Sequence, residues 1–166
     1  MSSKKQLMAA YDCHCQWFLN ALDDFSDEQA NRRLHPGINH VKYLAGHLMH
    51  TQYSFAAIAG VAVVPKWNDL FGPKGTSKAR DNYPYPTLDE IRAEWHAVQP
   101  RVRKGLQGLK ETALEQEFPE SPLVHTGIFD GTIGDLWAFL NLHQAYHVGQ
   151  IGMLRKGFGK ETLRYF

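Results

Sequence analysis

The last long helical segment, residues 132–159, places two histidines on the helix face that a fold would bury. One stripe of this segment recurs at steps of three and four residues, which is the spacing of a single α-helix face. Its members are Leu136, Leu140, His143, His147, Gln150 and Leu154. Two buried imidazoles without partners are costly, whereas a metal ion binds neutral imidazole nitrogens and removes that cost. The pattern therefore predicts either a metal site inside the fold or a pair of core histidines that bond to backbone and water.

Three more segments show the same helical periodicity. The first predicted helix covers residues 4–24, the second starts at an Asn39 cap and stops near Gly60, and the third opens at a Thr87–Glu90 capping box. A second capping box, Thr132–Asp135, opens the last helix. Four amphipathic helices of about 20 residues, with no strand pattern between them, predict an all-α four-helix bundle. A chain of 166 residues fits one domain over its whole length.

The segment from Val61 to Pro86 separates the second and third helices and is rich in glycine, proline and aromatic residues. It is longer than a structural connector usually needs to be, which indicates either a crossover or a lid over a site. A crossover of this length allows the second and third helices to run parallel. Its aromatic side chains either line a substrate pocket or form a packed cover. They are Trp67, Phe71, Tyr83 and Tyr85.

Charge and composition exclude several classes of partner. Lys and Arg total 18 and Asp and Glu total 17, so the formal charge of +1 offers no electrostatic footprint for nucleic acid or an acidic lipid surface. No stretch approaches the roughly 20 apolar residues that a membrane span needs. Cys13 and Cys15 lie two apart on the first helix and point to different faces, so we expect free thiols and a cytoplasmic location.

Two histidines on one helix need a third ligand from another helix, and His47 is the predicted one. It shares the inward stripe of the second helix with Leu44, Thr51 and Ile58. Three neutral histidines leave a divalent metal its full charge and at least one open position, which is typical of catalytic rather than structural sites. The sequence therefore predicts one divalent ion bound by His47 and the two histidines of the last helix.

Two other histidines are candidates for proton transfer. His50 lies one turn beyond His47 and is rotated about 60° around the helix, so it is a fourth ligand, a proton acceptor or a surface residue. His14 lies on the inward stripe of the first helix, where it either reaches the metal cavity as a general base or is a satisfied core histidine. The triplet Cys13-His14-Cys15 resembles a metal-binding cluster, but a helix sends its side chains in different directions, which disfavours that interpretation. The remaining histidines are expected to be exposed; they are His35, His40, His96 and His125.

Two stretches of the sequence carry a resemblance to a known family. The segment NHVKYLAGHLMHTQYSF resembles the second helix of the DinB-like superfamily. NLHQAYHVGQIGMLRKGFG resembles its final helix, whose motif is H-x-x-x-H-x-G-Q-I followed by Leu-Arg and Gly. The helix lengths and the long middle connection agree as well, so the resemblance covers nearly the whole chain. It implies an up-down-down-up bundle in which His47, His143 and His147 bind a divalent metal, often zinc or nickel; one departure is His14, where many relatives carry an aromatic residue.

The resemblance also implies the kinds of activity and assembly. Members with an assigned activity resemble metal-dependent transferases of low-molecular-weight thiols, isomerases or hydrolases, and homodimers are common. For this chain we expect transfer of a low-molecular-weight thiol to a small electrophilic substrate, because a divalent cation favours the thiolate at neutral pH. Hydrolysis of a small molecule is the close variant, with His50 or His14 as the proton acceptor.

The rival hypothesis is a non-catalytic protein of a stress response that binds a metal or a small ligand. No carboxylate lies obviously on the predicted buried stripes as a general base. This absence favours the thiol reaction or the rival hypothesis over hydrolysis, because hydrolysis needs a group that takes a proton from water.

Overall fold

The computed structural model describes residues 2–72, 78–118 and 127–165. In chain order its elements are α1 (Ser3–Ala21), α2 (Asp27–Asn31), α3 (Val41–Ile58), α4 (Asn68–Phe71), α5 (Leu88–Gly108), a 3-10 helix (Glu111–Glu115) and α6 (Ile133–Gly157). Four of these helices are long, and within the described residues extended pairing is limited to one bridge between Glu117 and Thr132. The predicted all-α four-helix bundle is confirmed.

Contacts near helix ends give the direction of α5 relative to α1. Lys4, at the start of α1, donates to the carbonyl oxygen of Leu109 just after α5 at 2.7 Å. Arg92, near the start of α5, donates to the carbonyl oxygen of Leu22 just after α1, also at 2.7 Å. The start of each helix therefore lies beside the end of the other, and the two are antiparallel.

The direction of α6 follows from its contacts with α1 and α3. Residues near the start of α6 contact residues near the start of α1, and residues near its end contact residues near the end of α1, so these two helices are parallel. The order of contacts is reversed between α6 and α3, so those two helices are antiparallel. The pairs that show this are Leu7 with Asn141 and Ala21 with Arg155 for α1, and Leu48 with Gln144 and Phe55 with Trp137 for α3. The four long helices therefore run up, down, down and up in chain order, as the resemblance implies.

All four long helices begin at side-chain caps, and the cap of α3 differs from the prediction. The boxes Thr87–Glu90 and Thr132–Asp135 open α5 and α6 as predicted. In contrast, α3 is capped by His40, whose Nδ1 accepts from the backbone N–H three residues later at 3.0 Å, so the predicted Asn39 cap is wrong. Asn39 instead accepts from the backbone N–H of Ala79 at 2.8 Å. His40 is 1% exposed, which also overturns the expectation that it lies in solvent.

A buried arginine joins the end of α1 to α6. Arg155 is 3% exposed and donates to the carbonyl oxygens of Ala21 at 3.2 Å, Asp23, and Glu161 at 3.1 Å. The helix α1 ends at Ala21, earlier than the predicted Asp24. Asp24 adopts a left-handed backbone conformation, with φ of 62°, which a continuing α-helix does not tolerate.

The described part of the crossover packs against α3. Phe71 of α4 fills a notch at Gly46, where a Cβ atom would lie 2.6 Å from Phe71 Cε2. Tyr85 stacks on Phe71 with ring centroids 5.7 Å apart and is itself buried. The crossover thereby covers the turn of α3 that precedes His47. None of the described helices combines the length and the apolar character needed to cross a bilayer.

Candidate metal centre

The three histidines predicted as ligands meet at one point of the bundle. His47 comes from α3, and His143 and His147 come from successive turns of α6. Their ring centroids are separated by 4.9, 4.9 and 4.6 Å. One nitrogen from each ring belongs to a set whose members all lie within 4.8 Å of one another. This cluster, called the triad below, could hold a metal ion.

The ring nitrogens of the triad are arranged as a donor set. Nε2 of His47 lies 3.1 Å from Nε2 of His143, so these atoms either share a proton or present two lone pairs to one cation. His147 contacts Oε1 of Gln150 through Nδ1 at 2.7 Å, which leaves its Nε2 to complete the set. Three imidazole nitrogens suit borderline divalent ions such as zinc and nickel. The residues present therefore fit the metal that the family resemblance implies.

Burial keeps the three imidazoles neutral. It lowers the pKa of His47 from 6.5 to about 3, and the neighbouring His143 and His147 add to the effect. Burial also lowers the pKa of His143 to about 4 and lowers the pKa of His147. A metal ligand must be a neutral imidazole. At pH 7 little proton competition therefore opposes a cation at these nitrogens.

A cavity of about 300 Å³ opens onto His47 and His143 of the triad, whereas His147 is absent from its described lining. Besides His47 and His143, the described residues that line it are His50, Thr51, Ser54, Phe71, Gly72, Phe139 and Leu140. None of these is a lysine, arginine, aspartate or glutamate. Of the four crossover aromatics, Phe71 lines the cavity and Tyr85 stacks behind it, while Trp67 and Tyr83 are absent from its described lining.

His50 is a cavity-lining titratable side chain outside the triad. Its Nε2 lies 2.8 Å from Oδ1 of Asn68 in α4. Because an amide oxygen only accepts, this contact assigns the proton to Nε2 and leaves Nδ1 as the basic atom. The role of His50 as a proton acceptor stays a prediction. Asn68 was missed by the sequence reasoning, because it lies in the crossover, where no periodicity indicates which way a side chain points.

His14 lies elsewhere. Its Nε2 contacts Oδ1 of Asn141 at 2.8 Å, and its ring packs against Tyr11 and Phe55. It lines a separate cavity of about 840 Å³ between α1 and α6, and it is absent from the described lining of the triad cavity. The structure thus brings His50, but not His14, to the triad cavity. A catalytic role for His14 stays an untested prediction, and its observed contacts are those of a core histidine.

The cysteines and the other described histidines also lie apart from the triad. His35 and His96 are exposed as expected, and His125 lies outside the described residues. Cys13 and Cys15 are free thiols, as predicted. Within the described residues, neither cysteine belongs to a group of three or more candidate metal ligands. The triplet around His14 is therefore a coincidence of sequence.

Glu94 is a buried carboxylate that the sequence pattern did not predict. Glu94 of α5 is 8% exposed, accepts a hydrogen bond from the Tyr53 hydroxyl at 2.8 Å and forms an ion pair with Lys66. The apolar periodicity of α5 did not predict the burial of this carboxylate, because the cation that pairs with it, Lys66, lies in the crossover. Glu94 is absent from the described lining of the triad cavity. It therefore holds the crossover to α5 rather than supplying a base to the cavity.

Comparison with known families agrees with this geometry. A family model described as the DinB superfamily matches residues 12–151 of the 166. The matched region contains the whole triad and most of all four long helices. No match is found among curated proteins.

Proposed function

The chain belongs to the DinB superfamily, and we propose from this premise that it is a divalent-metal-dependent enzyme acting on a small molecule. The preferred reaction is transfer of a low-molecular-weight thiol to a small electrophilic substrate, and the close variant is hydrolysis. The observation that carries the proposal is the triad of neutral imidazoles beside a cavity. A purely structural site would not need such a cavity.

Three side chains of the triad, His47, His143 and His147, would hold the ion. When bound, a zinc or nickel ion would lower the pKa of a thiol or of water at neutral pH. The imidazole ligands carry no charge and therefore leave the full positive charge of the ion available for this effect. Imidazole nitrogen suits zinc, copper, iron and nickel ions, and of these zinc and nickel are proposed because the family resemblance implies them.

The other cavity residues have separate tasks in this proposal. His50 takes the proton that the nucleophile loses, and Asn68 holds its ring so that Nδ1 is the basic atom. Phe71, Phe139 and Leu140 supply an apolar wall that holds the body of the substrate and excludes water. Thr51 is less suited to proton transfer, because its hydroxyl already donates to the carbonyl oxygen of His47 at 3.0 Å.

Thiol transfer is preferred over hydrolysis because of what the cavity offers. Attack by water needs a base that accepts a proton, and efficient bases in such reactions are commonly carboxylates or histidine. The described lining contains His50 and no carboxylate. A thiol, with an ordinary pKa near 8.5, needs less assistance than water to lose its proton.

The second candidate function is non-catalytic binding of a metal or a small ligand, as in a stress-response protein. It is favoured by the volume of the triad cavity, about 300 Å³, which is at the lower end of the range for small-molecule sites. It requires the same triad but gives His50 no chemical task. The two candidates therefore differ in turnover and not in metal content.

Metal content is the first test. We expect purified protein to carry about one divalent ion per chain, and elemental analysis of wild type measures it. His47→Ala should abolish stoichiometric binding, because it removes a ligand. His50→Ala is the matched control three residues away and should keep the ion. An empty His50→Ala protein, or a fully loaded His47→Ala protein, would contradict the assignment of the inward face of α3.

Turnover is the second test. The metal-loaded protein is assayed with bacillithiol, mycothiol or glutathione against a chloro-aromatic acceptor, and with hydrolysable esters and amides. Thiol-dependent release of chloride that falls in His50→Ala supports the enzyme. A fully loaded protein that turns over none of these substrates supports the binding protein instead.

A further inference from the structure

We propose that Gln150 is a positioning residue that fixes the ring of His147 with the proton on Nδ1 and the lone pair of Nε2 facing the triad. The affinity of the triad for a divalent cation then depends on this amide. The inference rests on the metal-binding part of the proposed function, and it adds a residue that binds neither metal nor substrate.

The geometry places Gln150 directly behind His147. The two residues lie three apart on α6, so their side chains share one face of the helix. Oε1 of Gln150 lies 2.7 Å from Nδ1 of His147, which is a short hydrogen bond for a neutral pair. Nδ1 is therefore occupied from outside the triad, and Nε2 is the nitrogen that remains for the cluster.

The chemistry of an amide decides the tautomer. Its oxygen accepts and cannot donate, so a contact through Oε1 requires that His147 carry its proton on Nδ1. A neutral imidazole with a proton on Nδ1 has its lone pair on Nε2. Without the amide, the proton is free to occupy Nε2, where it would oppose a cation. The amide also restricts rotation of the ring, which adds to the preorganisation of the site.

Gln150 has no equivalent at the neighbouring ligand on α6. Nδ1 of His143 is buried and has no hydrogen-bond partner in the described part of the chain. On its Nδ1 side His143 is therefore held by packing, with Phe139 at a ring-centroid distance of 6.2 Å. Of the two α6 ligands, His147 is thus the one whose Nδ1 has a polar partner outside the triad. Loss of such a partner typically lowers metal affinity about 10- to 100-fold.

The position of Gln150 separates this effect from changes in the triad cavity. Gln150 is absent from the described lining of that cavity and instead lines a second one of about 620 Å³, together with Leu44, Met153 and Leu154. A substitution at Gln150 therefore leaves the described walls around the triad in place. A loss of affinity then reports on the ring of His147 and not on a change in the described lining of the triad cavity.

The test compares two substitutions in the full-length protein. Gln150→Met keeps the length of the side chain and removes the acceptor, whereas Gln150→Glu keeps an acceptor that cannot donate. Gln144→Met is the matched control, because it removes an amide of the same helix that donates to the carbonyl oxygen of Leu48 at 3.0 Å, whereas the amide of Gln150 accepts from a histidine. Two readouts are taken: the ring ¹⁵N chemical shifts of His147 in metal-free protein, and the zinc Kd from competition with a chelator.

The expected result is specific to each variant. Metal-free wild type and Gln150→Glu show a protonated Nδ1 on His147, and Gln150→Met loses this signature. The zinc Kd rises about 10- to 100-fold in Gln150→Met and does not rise in Gln150→Glu. Gln144→Met keeps both the tautomer and the zinc Kd, even where its thermal stability falls.

Three outcomes would overturn the inference. They are a proton on Nε2 of His147 in metal-free wild type, a wild-type zinc Kd in Gln150→Met, and an equal loss of zinc affinity in Gln144→Met. Failure of wild type to bind zinc, nickel or any divalent ion is distinguishable, because it would refute the proposed function. The tautomer of His147, measured without metal, would then decide the positioning role of Gln150 alone.

Discussion

Replacing His14 with glutamine should lower the protein's sensitivity to acid. His14 is 1% exposed, and its ring packs against the rings of Tyr11 and Phe55. Its Nε2 has Oδ1 of Asn141 as partner, while its Nδ1 is buried without a hydrogen-bond partner in the described part of the chain. A second proton on this ring would therefore have no acceptor, and its charge would be placed in an apolar environment.

The size and sign of the effect follow from the pKa of His14. Burial lowers this pKa from 6.5 to about 4, and the hydrogen bond with Asn141 opposes the shift only in part. Below pH 6.5 the unfolded chain binds the proton and the folded protein does not, so the free energy of unfolding falls as the pH falls. The contribution is fully present above pH 6.5 and is lost by about pH 4. Its size is on the order of 3 kcal/mol, since each tenfold change in proton affinity is worth about 1.4 kcal/mol.

The assay is urea denaturation of metal-free protein at pH 7.5 and pH 4.5, with a chelator present throughout. His14→Gln keeps an N–H donor for Asn141 but cannot titrate. It should lose about 2–3 kcal/mol less stability than wild type between the two pH values. Other buried histidines titrate in both proteins, so they cancel in this comparison.

A second variant tests the same reasoning from the opposite side. Asn141→Asp places a carboxylate beside His14, which should raise the pKa of the imidazole and preserve stability at pH 4.5 relative to pH 7.5. Equal acid sensitivity of wild type and His14→Gln would refute the argument that burial of His14 opposes its protonation. Greater acid sensitivity of Asn141→Asp than of wild type would refute it as well.

Three other predictions concern the surface, the crossover and a helix cap. Leu142 and Tyr146 are each 65% exposed on α6, so we expect a homodimer by light scattering at micromolar concentration, and Tyr146→Glu should give a monomer. A monomeric wild type would refute this. Gly46→Ala should displace Phe71 and lower the midpoint of urea denaturation. Overpacking costs about 1–3 kcal/mol, which is expected to exceed the gain in helix propensity of about 1 kcal/mol. An unchanged midpoint would contradict this prediction. His40→Ala should destabilise the protein by about 1 kcal/mol or more, because it removes the cap of α3, and thermal unfolding at pH 7.5 measures the loss.

The sequence was sufficient to predict features that depend on neighbours within one or two helical turns. The capping boxes Thr87–Glu90 and Thr132–Asp135 are contacts between residues three apart, so they were visible before any packing was known. The long helices follow from periodicity in the same way. The triad was also predictable, because a histidine on an apolar stripe must face the core that the stripe buries. His47 needed only the assumption that the inward faces of α3 and α6 meet.

Tertiary structure decided the features that depend on partners distant in the sequence. Asn39 does not cap α3, because the backbone of Ala79 occupies its side chain, and His40 takes the cap instead. The orientation of His50 depends on Asn68, which lies in a crossover without periodicity.

His14 shows the same limit most clearly. Its inward position was predicted, but its hydrogen-bond partner Asn141 lies on α6, 127 residues away in the sequence. This contact places the ring of His14 at a cavity other than the one beside the triad. A helical stripe specifies which side of a helix is buried, because the spacing of side chains around the axis is fixed by local geometry. It does not specify which polar group on a distant helix a buried side chain will meet, because that depends on how the helices pack in three dimensions.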